Sequence, residues 1–278
     1  MSQKVNLNAY FERIGFAGSI APTLATLETI LALHPAAIPF ENLNPLLGLP
    51  VELDFKAIEQ KLLWDRRGGY CYEHNLLLGA ELRELDFAVR NLAARVLWNN
   101  PEGASQPASH MLLAVDIGGA SYLADAGFGG NTPTAPLRLK PDSEQRTPHG
   151  LYRVTGGQPE WVLETRIGED WKPLYVFDMV EKTVADYAPS NAYLSSDPAS
   201  PFVTQLRVAL SPPGKRMALW NNRLTTHVAG EPSEVRELTS VAELREVLAT
   251  TFGIQLPSTE LLDARLEVIL ADAGVAEV

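Results

Sequence analysis

Apolar and polar positions divide the chain into three stretches of different period. Leu24, Leu27, Ile30 and Leu31 recur at helical spacing, as do Phe55, Ile58 and Leu62. Leu78, Leu82 and Leu85 form a third stripe, on a helix predicted to begin near Cys71. Residues 1–87 therefore read as mostly helical, interrupted by a loop bounded by Pro39 and Pro45. From 88 to about 190 the period shortens to that of strands. Apolar runs at 93–98, 111–115, 121–124, 152–154, 161–163 and 174–177 are separated by Gly-containing turns, which predicts an antiparallel barrel or curled sheet. The remainder, 191–278, mixes strands at 203–210 and 215–220 with helices at 241–252 and 259–273. Three packed units, 1–87, 88–190 and 191–278, are the expectation.

Composition narrows the function classes. A length of 278 residues suits more than one packed unit, and 46% hydrophobic with 21% charged residues is an ordinary globular balance. Lys and Arg number 23 against 34 Asp and Glu, a formal net charge of −11. That argues against a nucleic-acid or anionic-membrane partner, because phosphate contacts need clustered cations. The single cysteine excludes an intramolecular disulfide and a multi-cysteine zinc site. The five histidines show no metal-ligand spacing with a third partner, so no metal is expected. His34, His149 and His227 read as residues in ordinary polar contexts, and His74 as a helix-surface residue. The first residues lack the apolar core of a signal peptide, and the apolar stretch 20–38 is broken by Glu28, His34 and Pro35. A cytoplasmic location is the expectation. The subunit number is not legible.

Cys71 is the candidate for chemistry. It follows Arg66, Arg67, Gly68, Gly69 and Tyr70, so a Gly-Gly turn leads into a helix whose first turn carries the sulfur. Unpaired amides and the positive dipole end stabilise a thiolate there. The glycines permit a tight turn and are expected to leave room for a substrate beside the sulfur. The alternative is a buried structural thiol, the common state of a lone intracellular cysteine.

A hairpin supplies partners for the thiol. His110 precedes the strand at 111–115, Asp125 ends the strand at 121–124, and Gly118-Gly119 forms the turn. A two-residue turn sets Ile117 opposite Ala120 and His110 opposite Gly127, so His110 and Asp125 share a face as diagonal neighbours about 7–8 Å apart. A three-residue turn would send them to opposite faces. In the two-residue register Asp125 orients His110, and His110 takes the Cys71 proton. Otherwise His110 is a loop histidine and Asp125 caps a turn. Gly127, Phe128, Gly129 and Gly130 follow, with glycine amides able to face an anion but without the Lys-Ser/Thr of a P-loop.

Taken in order, the loop Pro39-Phe40-Glu41-Asn42-Leu43, the segment Arg67-Gly68-Gly69-Tyr70-Cys71-Tyr72-Glu73, the isolated His110 and the run Asp125-Ala126-Gly127-Phe128-Gly129 resemble the arylamine N-acetyltransferase family. The resemblance covers essentially the whole chain, and His74 stands where Gln is more usual. It implies an α+β fold: an N-terminal helical bundle bearing the cysteine, a central antiparallel β-barrel bearing the histidine and aspartate, and a C-terminal α/β lid, around a cysteine-proteinase-like catalytic core. It implies acetyl-CoA as donor, an arylamine, arylhydrazine or N-hydroxyarylamine as acceptor, and Cys71, His110 and Asp125 as the triad. Arg67 and Glu41 match a structural ion pair that locks the loop beside the nucleophile. Phe40 and Phe128 match aromatic walls of the acceptor pocket. Amides of Gly127, Gly129 and Gly130, with Lys215, Arg216 and Arg223, are candidates for the CoA phosphates. Transfer would run through an acetyl-Cys71 intermediate. A cysteine hydrolase or peptidase using the same triad, and a non-enzymatic binding protein with an inert thiol, are the competing readings.

Overall fold

The computed structural model describes residues 5–100, 105–258 and 260–275. Residues 1–4, part of the predicted loop at 101–104, and 259, the predicted start of the last helix, lie outside them. The N-terminal unit is built on α1 (Leu7–Ile14), α2 (Leu24–Ala37), the short α3 (Leu43–Leu46), α4 (Phe55–Glu59) with a π-helical extension (Gln60–Trp64), and α5 (Cys71–Glu84). Leu27, Ile30, Leu31, Ile58, Leu62, Leu78 and Leu82 from the predicted stripes meet in one core.

Eight strands form the central sheet, in the order β5-β4-β3-β2-β9-β8-β7-β6, antiparallel between every neighbouring pair. They are β2 (Ala88–Val96), β3 (His110–Ile117), β4 (Ala120–Ala124), β5 (Leu137–Arg138), β6 (Gln145–Thr147), β7 (Gly150–Gly157), β8 (Glu160–Ile167) and β9 (Asp170–Phe177). The sheet curls into a nearly closed barrel, and a bridge from Pro141 to Val154 narrows the remaining gap. Strand β3 explains why its sequence lacks apolar-polar alternation. Leu112 and Ala114 point into the barrel core, whereas Met111, Leu113 and Val115 join the helical core on the other face. The barrel strand bearing His110 is thereby packed against the helix bearing Cys71.

Beyond α6 (Val184–Ser196), the C-terminal α/β region pairs a five-stranded sheet, β1-β10-β11-β12-β13 with β11 at Lys215–Trp220, β12 at Arg223–Val228 and β13 at Glu234–Glu237, with α8 (Val241–Glu246) and α9 (Glu260–Val275). Its edge strand β1 (Phe40–Glu41) comes from the proline-bounded loop and pairs with β10 (Arg207–Leu210), Glu41 opposite Val208. The strand predicted at 203–210 is shorter than expected. Pro201–Thr204 is a helical turn, α7, because Ser200 caps it by accepting from the Phe202 amide and Pro201 occupies its first position.

On α5, Glu81 is fully buried, and neither carboxylate oxygen has a hydrogen-bond partner among the described residues. Burial, with Glu59 and Glu84 nearby, raises its pKa to about 8. The folded protein therefore keeps this proton up to about pH 8, whereas the unfolded chain releases it near its ordinary 4.5. Stability from this group is intact below pH 4.5 and declines as pH rises towards 8. Glu81→Gln is expected to melt about 5 °C above the wild type at pH 8.5, with the gap closing near pH 4.5. Thermal unfolding at the two pH values checks this, and equal melting at pH 8.5 would refute it.

Candidate active site

Close backbone approach, rather than substrate space, explains the Gly-Gly turn. A Cβ on Gly68 would lie 1.9 Å from the Pro39 carbonyl oxygen, and one on Gly69 2.5 Å from Glu73 Oε2. The places of the missing Cβ atoms are thus taken by Pro39 and Glu73. The Glu41 amide donates to the Gly69 carbonyl (2.8 Å), and Glu73 Oε2 accepts from the Tyr70 amide (3.0 Å) at the helix start. Cys71 follows as the first residue of α5, 4% exposed, its Sγ 3.8 Å from the Ser109 carbonyl oxygen.

Arg67 and Glu41 form the expected ion pair. Arg67 Nε donates to Glu41 Oε1 at 2.8 Å, and the other carboxylate oxygen accepts from the Leu43 amide at 2.6 Å. Burial opposes ionisation of Glu41, but Arg67, Lys61 and the Leu43 amide hold its carboxyl below the usual range. The pair joins the β1 loop to the residue before Gly68, so it braces the turn and stands outside the reacting group.

The hairpin has the two-residue register: Ile117 pairs with Ala120, and Leu113 with Ala124. Gly118 and Gly119 supply the positive φ of +58° and +78° that this turn requires. Beyond the last pair, His110 Nε2 lies 2.7 Å from Asp125 Oδ2, both residues buried. Burial disfavours an imidazolium, yet the Asp125 charge and hydrogen bond, joined by a hydrogen bond with Cys71, raise His110 to about 10. Burial likewise pushes Asp125 up, but His110, Asn75 and the Gly127 amide hold it below the ordinary carboxylate range.

Two residues of this cluster were missed in the sequence. Asn75 Nδ2 donates to Asp125 Oδ1 (3.0 Å) and to the Met111 carbonyl (2.7 Å), while its Oδ1 accepts from the Ala126 amide (3.0 Å). Its position one helical turn after Cys71 was the available signal. Tyr175 donates to Asp125 Oδ2 (3.0 Å) from strand β9, and no local pattern marks it.

Phe128 sets its ring edge-on to His110 at 5.0 Å, and Phe40 packs beside Gly129; both aromatics are half-buried. Among the proposed CoA contacts, the Gly127 amide already donates to Asp125 Oδ1 (2.8 Å). Gly127 serves close packing instead: a Cβ there would lie 2.7 Å from Cys71 Cα. Arg216 is also committed. Its guanidinium is buried and donates to the Gly130 and Thr132 carbonyls at 2.8 Å each and to Tyr152 Oη at 2.6 Å. Gly129 and Gly130 are half-buried, and Lys215 and Arg223 are exposed. His74 and His34 correct the helix-surface and polar-context readings, for both are fully buried. Among the described residues no three or more His, Cys, Asp or Glu are grouped to hold a metal, and no helix is long and apolar enough to cross a membrane.

A family model described as N-acetyltransferase matches residues 23–261. An arylamine N-acetyltransferase of Mycobacterium tuberculosis is 40% identical over 274 residues, spanning 96% of each chain. A solved structure of an arylamine N-acetyltransferase from M. tuberculosis superposes with a TM-score of 0.90 at 40% identity, over 94% of this chain and 99% of that one. The Mycobacterium marinum arylamine N-acetyltransferase, solved in complex with CoA, gives 0.90 at 38% identity over 95% and 99%.

Proposed function

We propose, for a chain that belongs to the arylamine N-acetyltransferase family and is an acetyltransferase, transfer of acetyl from acetyl-CoA to the nitrogen of an arylamine or arylhydrazine through acetyl-Cys71. The observation that carries this reading is the buried His110–Asp125 pair set against Cys71 at the start of α5. The CoA complex of the M. marinum relative supports a CoA thioester as donor.

The reaction follows as two half-reactions in one site. With His110 raised to about 10, an imidazolium stands beside Cys71 at neutral pH, and the nucleophilic form of the cysteine is its thiolate. The thiolate attacks the acetyl carbonyl, and the oxyanion develops beside the amides at the helix start, Cys71 N–H among them. The C–S bond to CoA breaks, His110 gives its proton to the departing sulfur, and acetyl-Cys71 remains. The amine then attacks this thioester, neutral His110 accepts the N–H proton, and Cys71 leaves as thiolate beside the imidazolium, ready for the next donor. Aromatic amines suit the second step because they are uncharged at neutral pH, so the lone pair is available. Phe40 and Phe128 are the proposed aromatic walls for the acceptor.

Intact-mass measurement tests the intermediate. Incubation with acetyl-CoA is expected to add one acetyl group, on Cys71, which persists in buffer and is discharged when an arylamine is added. No adduct with any acetyl donor, or loss to water as fast without amine as with it, would overturn the reading. The second result is what a hydrolase would give.

A further inference from the structure

Behind the Gly68–Gly69 turn lies a row of buried polar side chains that the two half-reactions leave unused. Tyr10 Oη is 2.8 Å from His34 Nδ1, His34 Nε2 is 2.9 Å from His74 Nδ1, and His74 Nε2 is 3.1 Å from the Pro39 carbonyl oxygen. All three side chains have no solvent exposure.

The direction of this row follows from its end. A carbonyl oxygen only accepts, so His74 Nε2 carries a hydrogen, and a neutral His74 then accepts at Nδ1. His34 must donate from Nε2 and accept at Nδ1, which makes Tyr10 the first donor. The reverse direction needs a charged His74. Burial opposes that charge and lowers both imidazoles, His74 to about 4. Arg13 beside His34 and Lys61 beside His74 act in the same sense; Glu41 opposes, and Glu81 faces Tyr10. Both rings are therefore neutral at pH 7, and every donor meets an acceptor.

The acceptor that closes the row is the oxygen that shapes the turn. Pro39 O also takes the Gly69 amide at 3.4 Å and fills the place of a Gly68 Cβ. Gly69 is two residues before Cys71, and the next residue after Pro39, Phe40, stacks on the His74 ring at 6.4 Å and 10°.

We propose that His34 and His74 are positioning residues for acetyl transfer: with Tyr10 they form a one-directional hydrogen-bond chain that fixes the Pro39 carbonyl and, through it, the Gly68–Gly69 turn that presents Cys71. The role rests on Cys71 being the acetylated residue, whereas the chain itself does not.

The experiment combines single-turnover acetylation of Cys71 with nitrogen-15 NMR of histidine-labelled protein. His74→Leu is expected to acetylate about 10²-fold more slowly at saturating acetyl-CoA, with KM for acetyl-CoA changed by less than about 2-fold. His74→Gln should recover the rate to within about 3-fold, because its Oε1 accepts from His34 while its Nε2 donates to Pro39. In the wild type at pH 7, both rings should show the neutral tautomer with hydrogen on Nε2, and Tyr10→Phe should shift the His34 Nδ1 signal. Wild-type acetylation in His74→Leu, or a Gln variant no faster than the Leu variant, overturns the positioning role. If His74→Leu does not fold, a wild-type ring with hydrogen on Nδ1 overturns it instead. A wild type that gains no acetyl group at all sinks the catalytic reading, and the tautomers then still decide the chain.

Discussion

Cys71→Ala is expected to abolish acetyl transfer, with turnover falling by about 10⁵-fold or more, the scale seen when a triad loses its nucleophile. No other residue can substitute, because the chain has no second cysteine. His110 is held by Asp125, with its remaining ring nitrogen, Nδ1, left for the sulfur. A serine at this place would keep the geometry but would have to lose a far less acidic proton, so Cys71→Ser is expected to be nearly as inactive. The fold should survive either change. Cys71 sits in the helical core beside Tyr70 and Tyr72, and the Tyr70 amide that starts the helix is capped by Glu73 and not by the sulfur. Thermal unfolding of Cys71→Ala therefore serves as the control. Turnover within 10²-fold of the wild type in a folded Ala variant, or an acetyl adduct on it, would remove Cys71 from the reaction.

The parts of the site carried by local geometry were legible in the sequence. Of the two registers the sequence allowed, Gly118-Gly119 takes the two-residue one, and that register brings His110 to Asp125 across fifteen residues. The helical stripes through Leu27 and Leu78, and a helix start at Cys71, follow from period and from the preceding glycines. What failed needed contacts between distant elements. His34 and His74 are polar residues on helices, and their hydrogen bonds to each other, forty positions apart, and to Tyr10 and the Pro39 carbonyl make full burial tolerable. Arg216 lies on a strand, where alternation decides whether a guanidinium reaches solvent or, as here, three acceptors under the sheet. Gly68 reads as the source of a tight turn with room beside the sulfur, and Gly127 as a source of a free amide. Their reason is the Pro39 oxygen and the Cys71 Cα that occupy the space of a missing Cβ, which no single-chain pattern encodes.

Asp125→Asn should lower turnover by about 10⁴-fold while leaving the protein folded, the scale expected when the orienting carboxylate of a triad is neutralised. Four donors converge on this side chain. Asn75 Nδ2 and the Gly127 amide reach Oδ1, and Tyr175 Oη and His110 Nε2 reach Oδ2. Only a carboxylate accepts at both oxygens. An asparagine must turn its NH2 group towards one pair. Facing Asn75 and Gly127 it meets two donors whose hydrogens cannot move, since the Asn75 amide is fixed by the Met111 carbonyl and the Ala126 amide. Facing Tyr175 and His110 it meets two groups that can adjust, so this orientation is favoured. His110 then accepts at Nε2 and carries its hydrogen on Nδ1, the nitrogen needed to take a proton from sulfur or amine. The same change removes the charge that raises His110, so its pKa falls and the imidazolium beside Cys71 is lost at neutral pH. Both half-reactions should slow, and single-turnover acetylation and amine discharge measured separately would show it. An Asn variant that acetylates within about 10-fold of the wild type would mean that Asp125 only buttresses the hairpin.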